Sequence, residues 1–157
     1  MRLKMSLKNI KNLILVVFLG FLLTACATSS RKPGKDYYTG SDTVKFLASG
    51  VPDRVFFATN RSSLHSGAKG TLNKQAAYIK SSGISVVVEG HADERGTREY
   101  NLALGERRAN AVKDYLMSQG VASSKITVIS YGKERPVNPE SSRLAWSQNR
   151  RSVTVKS

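Results

Sequence analysis

The chain has one cysteine among its 157 residues, Cys26, so no disulfide can close within it. It has two histidines, His65 and His91, and no spaced His/Cys set that could complete a zinc-type site. No metal and no cofactor are therefore expected. Acids are scarce, with 11 Asp and Glu against 25 Lys and Arg, and the formal net charge is +14. Such an excess suits nucleic acid, anionic lipid or an acidic polymer, and charge alone does not choose among them. No apolar run reaches the roughly 20 residues of a comfortable membrane span. The longest, Leu13 to Leu23, is interrupted by Gly20 and ends abruptly. There are no internal repeats. Neither a positioned acid pair nor a Cys/His pair is visible, so an enzyme that cuts its ligand is not expected. What remains, 40% hydrophobic and 23% charged, is ordinary for one domain with short appendages.

The first segment has its own logic. Arg2, Lys4, Lys8 and Lys11 precede the apolar run with no acid among them. Without those four the charge is 14 − 4 = +10. A basic start followed by a short apolar run is the pattern of an export signal. Leu23-Thr24-Ala25-Cys26 follows, and resembles the lipobox of bacterial lipoproteins. That resemblance implies diacylglycerol on the Cys26 thiol, cleavage before Cys26 and acylation of the new amine. A single acyl chain binds membranes only marginally, at about 10⁴ M⁻¹, whereas several anchor stably. Ala27 stands where an Asp would imply retention at the inner membrane, so an outer-membrane anchor is expected. The alternative is a signal anchor with an incidental cysteine. Residues 1–25 are thus read as a lipoprotein signal peptide and 26–50 as the lipidated N-terminus and a flexible linker. In that linker, Val44 to Leu47 is the part able to order against the domain of residues 51–157.

The domain alternates between strand and helix signals. Arg54 to Phe57 reads as a short buried strand. Gly67 to Ser82 reads as a helix, with Ala68, Leu72, Ala76 and Ile79 on one stripe and Gly83 past its end. Ile84 to Glu89 is a β-branched run typical of a core strand. Tyr100 to Gln119 is the strongest helix, with Leu104, Ala111, Val112, Tyr115 and Leu116 inward and Gly120 as a stop. Ile126 to Ser130 is a strand, and Lys133 to Ser142, with Pro136 and Pro139, a loop. Leu144 to Gln148 is a helical turn, and Arg151 to Lys156 a last strand with Val153 and Val155 on one side, Val153 expected with Val86, Val88 and Val128 beneath Leu104, Val112 and Leu116 of the long helix. The order is β-α-β-α-β-(α)-β, an α/β sandwich.

Most of the chemistry is concentrated in residues 88–113. Gly90, His91 and Asp93 fall where a strand is expected to run out into a loop, with polar side chains able to face a ligand. Asn101, Leu104 and Arg108 are spaced three and four apart and share a helix face. A carboxylate at the strand end and an arginine on the next helix would clamp a ligand bearing both an ammonium and a carboxylate.

Gly90-His91-Ala92-Asp93-Glu94-Arg95-Gly96-Thr97, then Tyr100-Asn101, then Leu104-Gly105-Glu106-Arg107-Arg108-Ala109-Asn110-Ala111-Val112, strongly resembles the OmpA-like peptidoglycan-binding domain. Among its members, the lipoproteins of the Tol–Pal system match best. Ser130 to Pro136 and Ala145 to Arg151 match later motifs, so the resemblance spans about Arg54 to Val155. It implies helices packed on a mixed sheet and binding of peptidoglycan through the meso-diaminopimelate of the stem peptide. It implies that Asp93 takes the ligand ammonium and Arg108 its side-chain carboxylate. Asn101 and Leu104 would line the site, with Thr59 and Asn60 contributing from the loop after the first strand. The implied protein partners are TolB and TolA. One departure stands out. The family often has an acid straight after the first strand's Phe, where this chain has Ala58, and Asn60 stands where a second acid may occur. Contacts from that loop would then come from backbone groups.

Blander roles stand beside these. Arg107 is expected on a solvated helix face, and His91 as a packed, hydrogen-bonded support rather than half of a metal or catalytic pair with Asp93. Trp146 is expected in the core. Arg150 and Arg151 either contact the wall or pair with acids such as Glu106 or Glu134. An export signal argues against nucleic acid as their target. A flagellar-stator protein with the same wall domain would need an acid inside a true span and no lipobox.

Overall fold

The computed structural model describes residues 43–157. Cys26, the signal segment and most of the linker lie outside the described residues. Strand β1 (Phe46–Ala48) pairs antiparallel with the two-residue β2 (Val51–Pro52), and β3 (Arg54–Phe56) follows. Next come α1 (Ser66–Ser82), β4 (Val86–His91), α2 (Arg98–Ser118), a 3-10 turn (Ser123–Lys125), β5 (Ile126–Gly132), α3 (Arg143–Asn149) and β6 (Arg151–Lys156). The main sheet has the order β3-β6-β4-β5. β4 and β5 are parallel, while β6 runs antiparallel to both β3 and β4. The sheet is therefore mixed, with α1 and α2 packed on it, as an OmpA-like sandwich requires.

The helix ends follow from side-chain chemistry. The Oγ1 of Thr97 accepts from Tyr100 N at 3.2 Å and so caps α2. Gly120, at φ +85°, closes the other end. There Val121 N donates to Leu116 O at 3.1 Å, which is a Schellman closure, and Leu116 and Val121 are both buried beside it. His65 caps α1, its Nδ1 accepting from Ala68 N at 3.2 Å. The predicted stripe Ala68, Leu72, Ala76 and Ile79 is buried, as are Leu104, Val112 and Leu116. Ala111 and Tyr115 are only half-buried. Leu47 joins the core with Val55, Phe57, Val86 and Val88, so the fold begins before residue 51.

The two faces of the sheet differ from the expectation in one respect. Val88 pairs with Thr154, and Val55 with Ser152, so Ser152 and Thr154 share the helix-covered face. Thr154 Oγ1 donates to Gln75 Oε1 of α1 at 2.8 Å. Val153 pairs with Arg54 and Glu89 on the opposite face. Val153 is buried, but not against α2 as its alternation suggested.

One close approach positions the site. A Cβ added at Gly90 would fall on the carbonyl of Gly105, and one at Gly105 would clash with Ser130 Oγ. Strand β4 and helix α2 therefore touch backbone to backbone at a point that only glycine allows. This contact brings the Asn101–Leu104–Arg108 face of α2 against the end of β4. The strand extends two residues past its expected end, through Gly90 and His91, so the loop begins at Ala92.

Candidate functional site

Of the six predicted binding residues, four are buried: Asp93, Asn101, Leu104 and Arg108. Thr59 and Asn60 are exposed at the rim, Asn60 with a left-handed φ of 55°. Asp93 stands just past β4. Its Oδ1 accepts from Arg95 N at 3.2 Å, a turn in which an Asp side chain ties down its own backbone two residues on. Arg95 also lays its guanidinium along the carboxylate, with Nε to Oδ1 at 3.0 Å and Nη2 to Oδ2 at 2.7 Å. Arg150 Nη1 adds a bond to Oδ2 at 3.3 Å. Burial alone would raise the Asp93 pKa; the Arg95 hydrogen bonds and charge, helped by Arg150, outweigh it and hold it below the usual carboxylate range.

Arg108 has no exposed surface. Its Nε donates to Arg61 O at 2.9 Å, Nη1 to His91 O at 2.7 Å and Nη2 to Ala58 O at 3.1 Å. The guanidinium also lies 5.2 Å from the Phe57 ring centroid. The loop carrying the Ala58 departure thus meets Arg108 through main-chain carbonyls. Burial, then the Arg150 charge, lowers the Arg108 pKa to about 10, and Asp93 acts in the opposite direction. The side chain remains a cation at neutral pH. Among the described residues, no ion pair includes Arg108. The structure brings Asp93 and Arg108 into one electrostatic neighbourhood without joining them.

Asn101 turns inward, its Nδ2 donating to Arg95 O at 2.8 Å and Thr97 O at 3.0 Å. It fixes the 95–97 loop between β4 and α2. An open cleft of about 460 Å³ flanks the start of α2 on another side, lined by Arg98, Leu102, Tyr131 and Lys133 among others. None of the six predicted residues lines it.

Several expectations are corrected here. Arg150 reaches Asp93 and also donates to Phe57 O at 3.0 Å, so it is part of the site's frame. Arg151 donates to the carbonyls of Asn149 and Arg135 at 3.4 and 3.2 Å. Arg150 thus pairs with an acid as expected, the acid being Asp93, while Glu134 lies 3.4 Å from Arg98. Trp146 is half-buried rather than core. Its Nε1 donates to Glu94 Oε1 at 2.7 Å, and Arg95 stacks over its ring at 4.3 Å. His91 is packed as expected, with its ring 5.5 Å from that of Tyr131, but among the described residues neither ring nitrogen has a hydrogen-bond partner. Burial and the charges of Arg151, Arg54 and Arg135 lower its pKa to about 3.

Arg95, Arg150 and Trp146 are the residues that sequence reasoning missed. The offset of two between Asp93 and Arg95 is a turn signal that could have flagged Arg95. Nothing local connects Arg150 with Asp93, 57 positions away.

The OmpA family model matches residues 56–150. The peptidoglycan-associated lipoprotein of Mesorhizobium japonicum is 44% identical over 156 residues, covering 94% of this chain and 93% of that protein. That of Agrobacterium fabrum is 43% identical over 152 residues, covering 90% of this chain and 85% of its own. A crystal structure of the peptidoglycan-associated lipoprotein from Burkholderia pseudomallei superposes with a TM-score of 0.65 at 38% identity, over 67% of this chain and 90% of that one. The chain belongs to the OmpA family, in its branch of peptidoglycan-associated lipoproteins.

Proposed function

We propose that this chain is a non-catalytic, lipid-anchored protein that tethers the outer membrane to the cell wall. Its domain binds peptidoglycan without a covalent bond, through the diaminopimelate of the stem peptide. Asp93 takes the ligand ammonium. Arg108 takes the side-chain carboxylate with the two N–H groups left over from its three carbonyl bonds, a guanidinium having five. Because Arg108 is covered, the loop from Ala58 to Arg61 gives way as ligand enters. Thr59 and Asn60 sit on that loop, and Asn101 and Leu104 back the site from α2.

The observation that carries this reading is the Arg108 cation. A buried charge is costly unless paired, and this one has carbonyl dipoles around it and Asp93 in its neighbourhood but, among the described residues, no ion pair. An incoming carboxylate supplies the missing counter-ion, while Asp93 fixes the opposite end of a dipolar ligand. The names of the relatives, which associate them with peptidoglycan and describe them as lipoproteins, point the same way.

The rest of the molecule fits that role. Residues 1–25 direct export, acylated Cys26 holds the outer membrane, and the remaining linker lets the domain face the periplasm and reach the wall. No metal or cofactor takes part. TolB and TolA are the protein partners that family membership suggests, for envelope integrity and cell division. The test is co-sedimentation with purified peptidoglycan sacculi. Binding that free diaminopimelate competes away supports the reading; binding indifferent to it rejects the site, and loss of wall turbidity on adding protein rejects the non-catalytic role.

A further inference from the structure

The Asp93 carboxylate is full. A carboxylate has about four acceptor positions. Here Oδ1 takes Arg95 N and Arg95 Nε, and Oδ2 takes Arg95 Nη2 and Arg150 Nη1. An ammonium arriving from a ligand finds no lone pair to use, so one of these donors has to leave.

Only one is free to do so. The backbone N–H of Arg95 is fixed by the turn and by Asn101, which holds the carbonyl of the same residue. The Arg150 side chain is 6% exposed and bonded to Phe57 O in the core frame. The Arg95 side chain is 41% exposed and its head rests on the Trp146 ring at 4.3 Å. Trp146 is itself held by Glu94, whose Oε1 accepts from Trp146 Nε1 and Ser141 Oγ, both at 2.7 Å. The indole thus forms a fixed shelf under a movable guanidinium.

We propose that Arg95 is an internal competitor for the ligand ammonium, capping Asp93 in the free protein and sliding over the Trp146 shelf when ligand binds. This rests on the reading of Asp93 as the ammonium acceptor. Being tethered two residues away, Arg95 competes at a high effective concentration. A ligand offering only an ammonium must overcome that cap with a single contact. A dipolar ligand adds the contact of its carboxylate with Arg108 and displaces Arg95 more readily. Arg95 therefore lowers the affinity of every ligand that must displace it by one common factor, a threshold that a ligand also reaching Arg108 clears more easily than a simple amine, and it sets this threshold without touching the ligand.

The experiment uses the detergent-solubilised full chain and two soluble stem peptides, one with diaminopimelate and one with lysine in its place. Removing a competitor strengthens every ligand that had to displace it by the same factor. Arg95→Ala is expected to tighten both peptides alike, by about threefold to tenfold, as a bidentate but partly exposed pair implies. Ligand-induced change in the emission of Trp146, the only tryptophan in the chain, is expected to shrink in Arg95→Ala. Unchanged affinity overturns the cap. Selective weakening of the diaminopimelate peptide also overturns it, because Arg95 would then be a direct carboxylate ligand. Asp93→Asn separates the two levels of the argument: if it binds both peptides as the wild type does, the assignment of Asp93 is wrong. If Asp93→Asn abolishes binding and Arg95→Ala leaves affinity unchanged, only the cap is wrong.

Discussion

His91 makes the stability of this domain depend on pH in a calculable way. The residue is 1% exposed, packed against Tyr131 and, among the described residues, without a hydrogen bond at either ring nitrogen. Glu89 Oε2 is 3.4 Å from Nε2, which on its own would favour the imidazolium. Burial, Arg151, Arg54 and Arg135 outweigh it, and the folded-state pKa is about 3. An unfolded histidine titrates near 6.5. Between these values the unfolded chain binds a proton that the folded chain refuses, so stability falls as pH drops through 6.5 and continues to fall to about pH 3. The slope is about 1.4 kcal/mol per pH unit well below 6.5, and the loss between pH 7 and pH 5 comes to about 2 kcal/mol. The assay is urea unfolding at both pH values, for the wild type and for His91→Phe, which keeps a ring against Tyr131 but cannot titrate. Other titrating groups, His65 included, cancel in the difference between the two proteins. Equal pH dependence in wild type and variant would refute the argument.

Three further outcomes follow from the packing and the sequence. Leu116, with no exposed surface, should cost about 2–5 kcal/mol of stability on substitution by alanine, read from the unfolding midpoint. Arg108→Ala strips a charged donor from the carbonyls of Ala58, Arg61 and His91, and should destabilise the fold by about 2–3 kcal/mol. Arg107→Ala on the exposed face of α2 should stay within about 0.5 kcal/mol of wild type. Cys26→Ser should yield a protein lacking acyl mass in intact-mass analysis of membrane extracts; a mature N-terminus other than acylated Cys26 in the wild type would contradict the anchor.

The legible parts of this fold are those governed by periodicity and by local motifs. The apolar stripe of α1, the burial of Leu104, Val112 and Leu116 on α2, and the Gly120 stop all follow from spacing along a helix. The end of β4 was harder to place, because Gly90 weakens a strand signal. Here it continues the strand, since its missing side chain lets Gly105 approach. Val153 departs from the expected packing because the helix-covered face of β6 carries the polar Ser152 and Thr154, with Thr154 satisfied by Gln75. Alternation shows two faces and does not say which is covered. In the site, Asp93 and Arg108 were found through a motif, but their surroundings were not. Arg108, expected to face a ligand, has no exposed surface, so its removal should perturb the fold as well as any ligand contact. The arrival of Arg150 beside Asp93 depends on the chain returning through α3 and β6, which no local pattern encodes.

The central claim is that Asp93 receives a ligand ammonium at a specific site, rather than belonging to a diffusely charged surface. The most direct measurement is the affinity of the full chain for a soluble diaminopimelate stem peptide, compared among wild type, Asp93→Asn and Arg107→Ala. Asn keeps the shape of Asp93 and removes its charge, and a cooperative unfolding transition in each variant would show that each protein is folded. A charge-assisted, partly buried contact is worth about 1.5–3 kcal/mol, so Asp93→Asn should weaken binding at least about tenfold and Arg107→Ala should leave it unchanged. Equal losses in the two variants, or no loss in Asp93→Asn, would contradict the account.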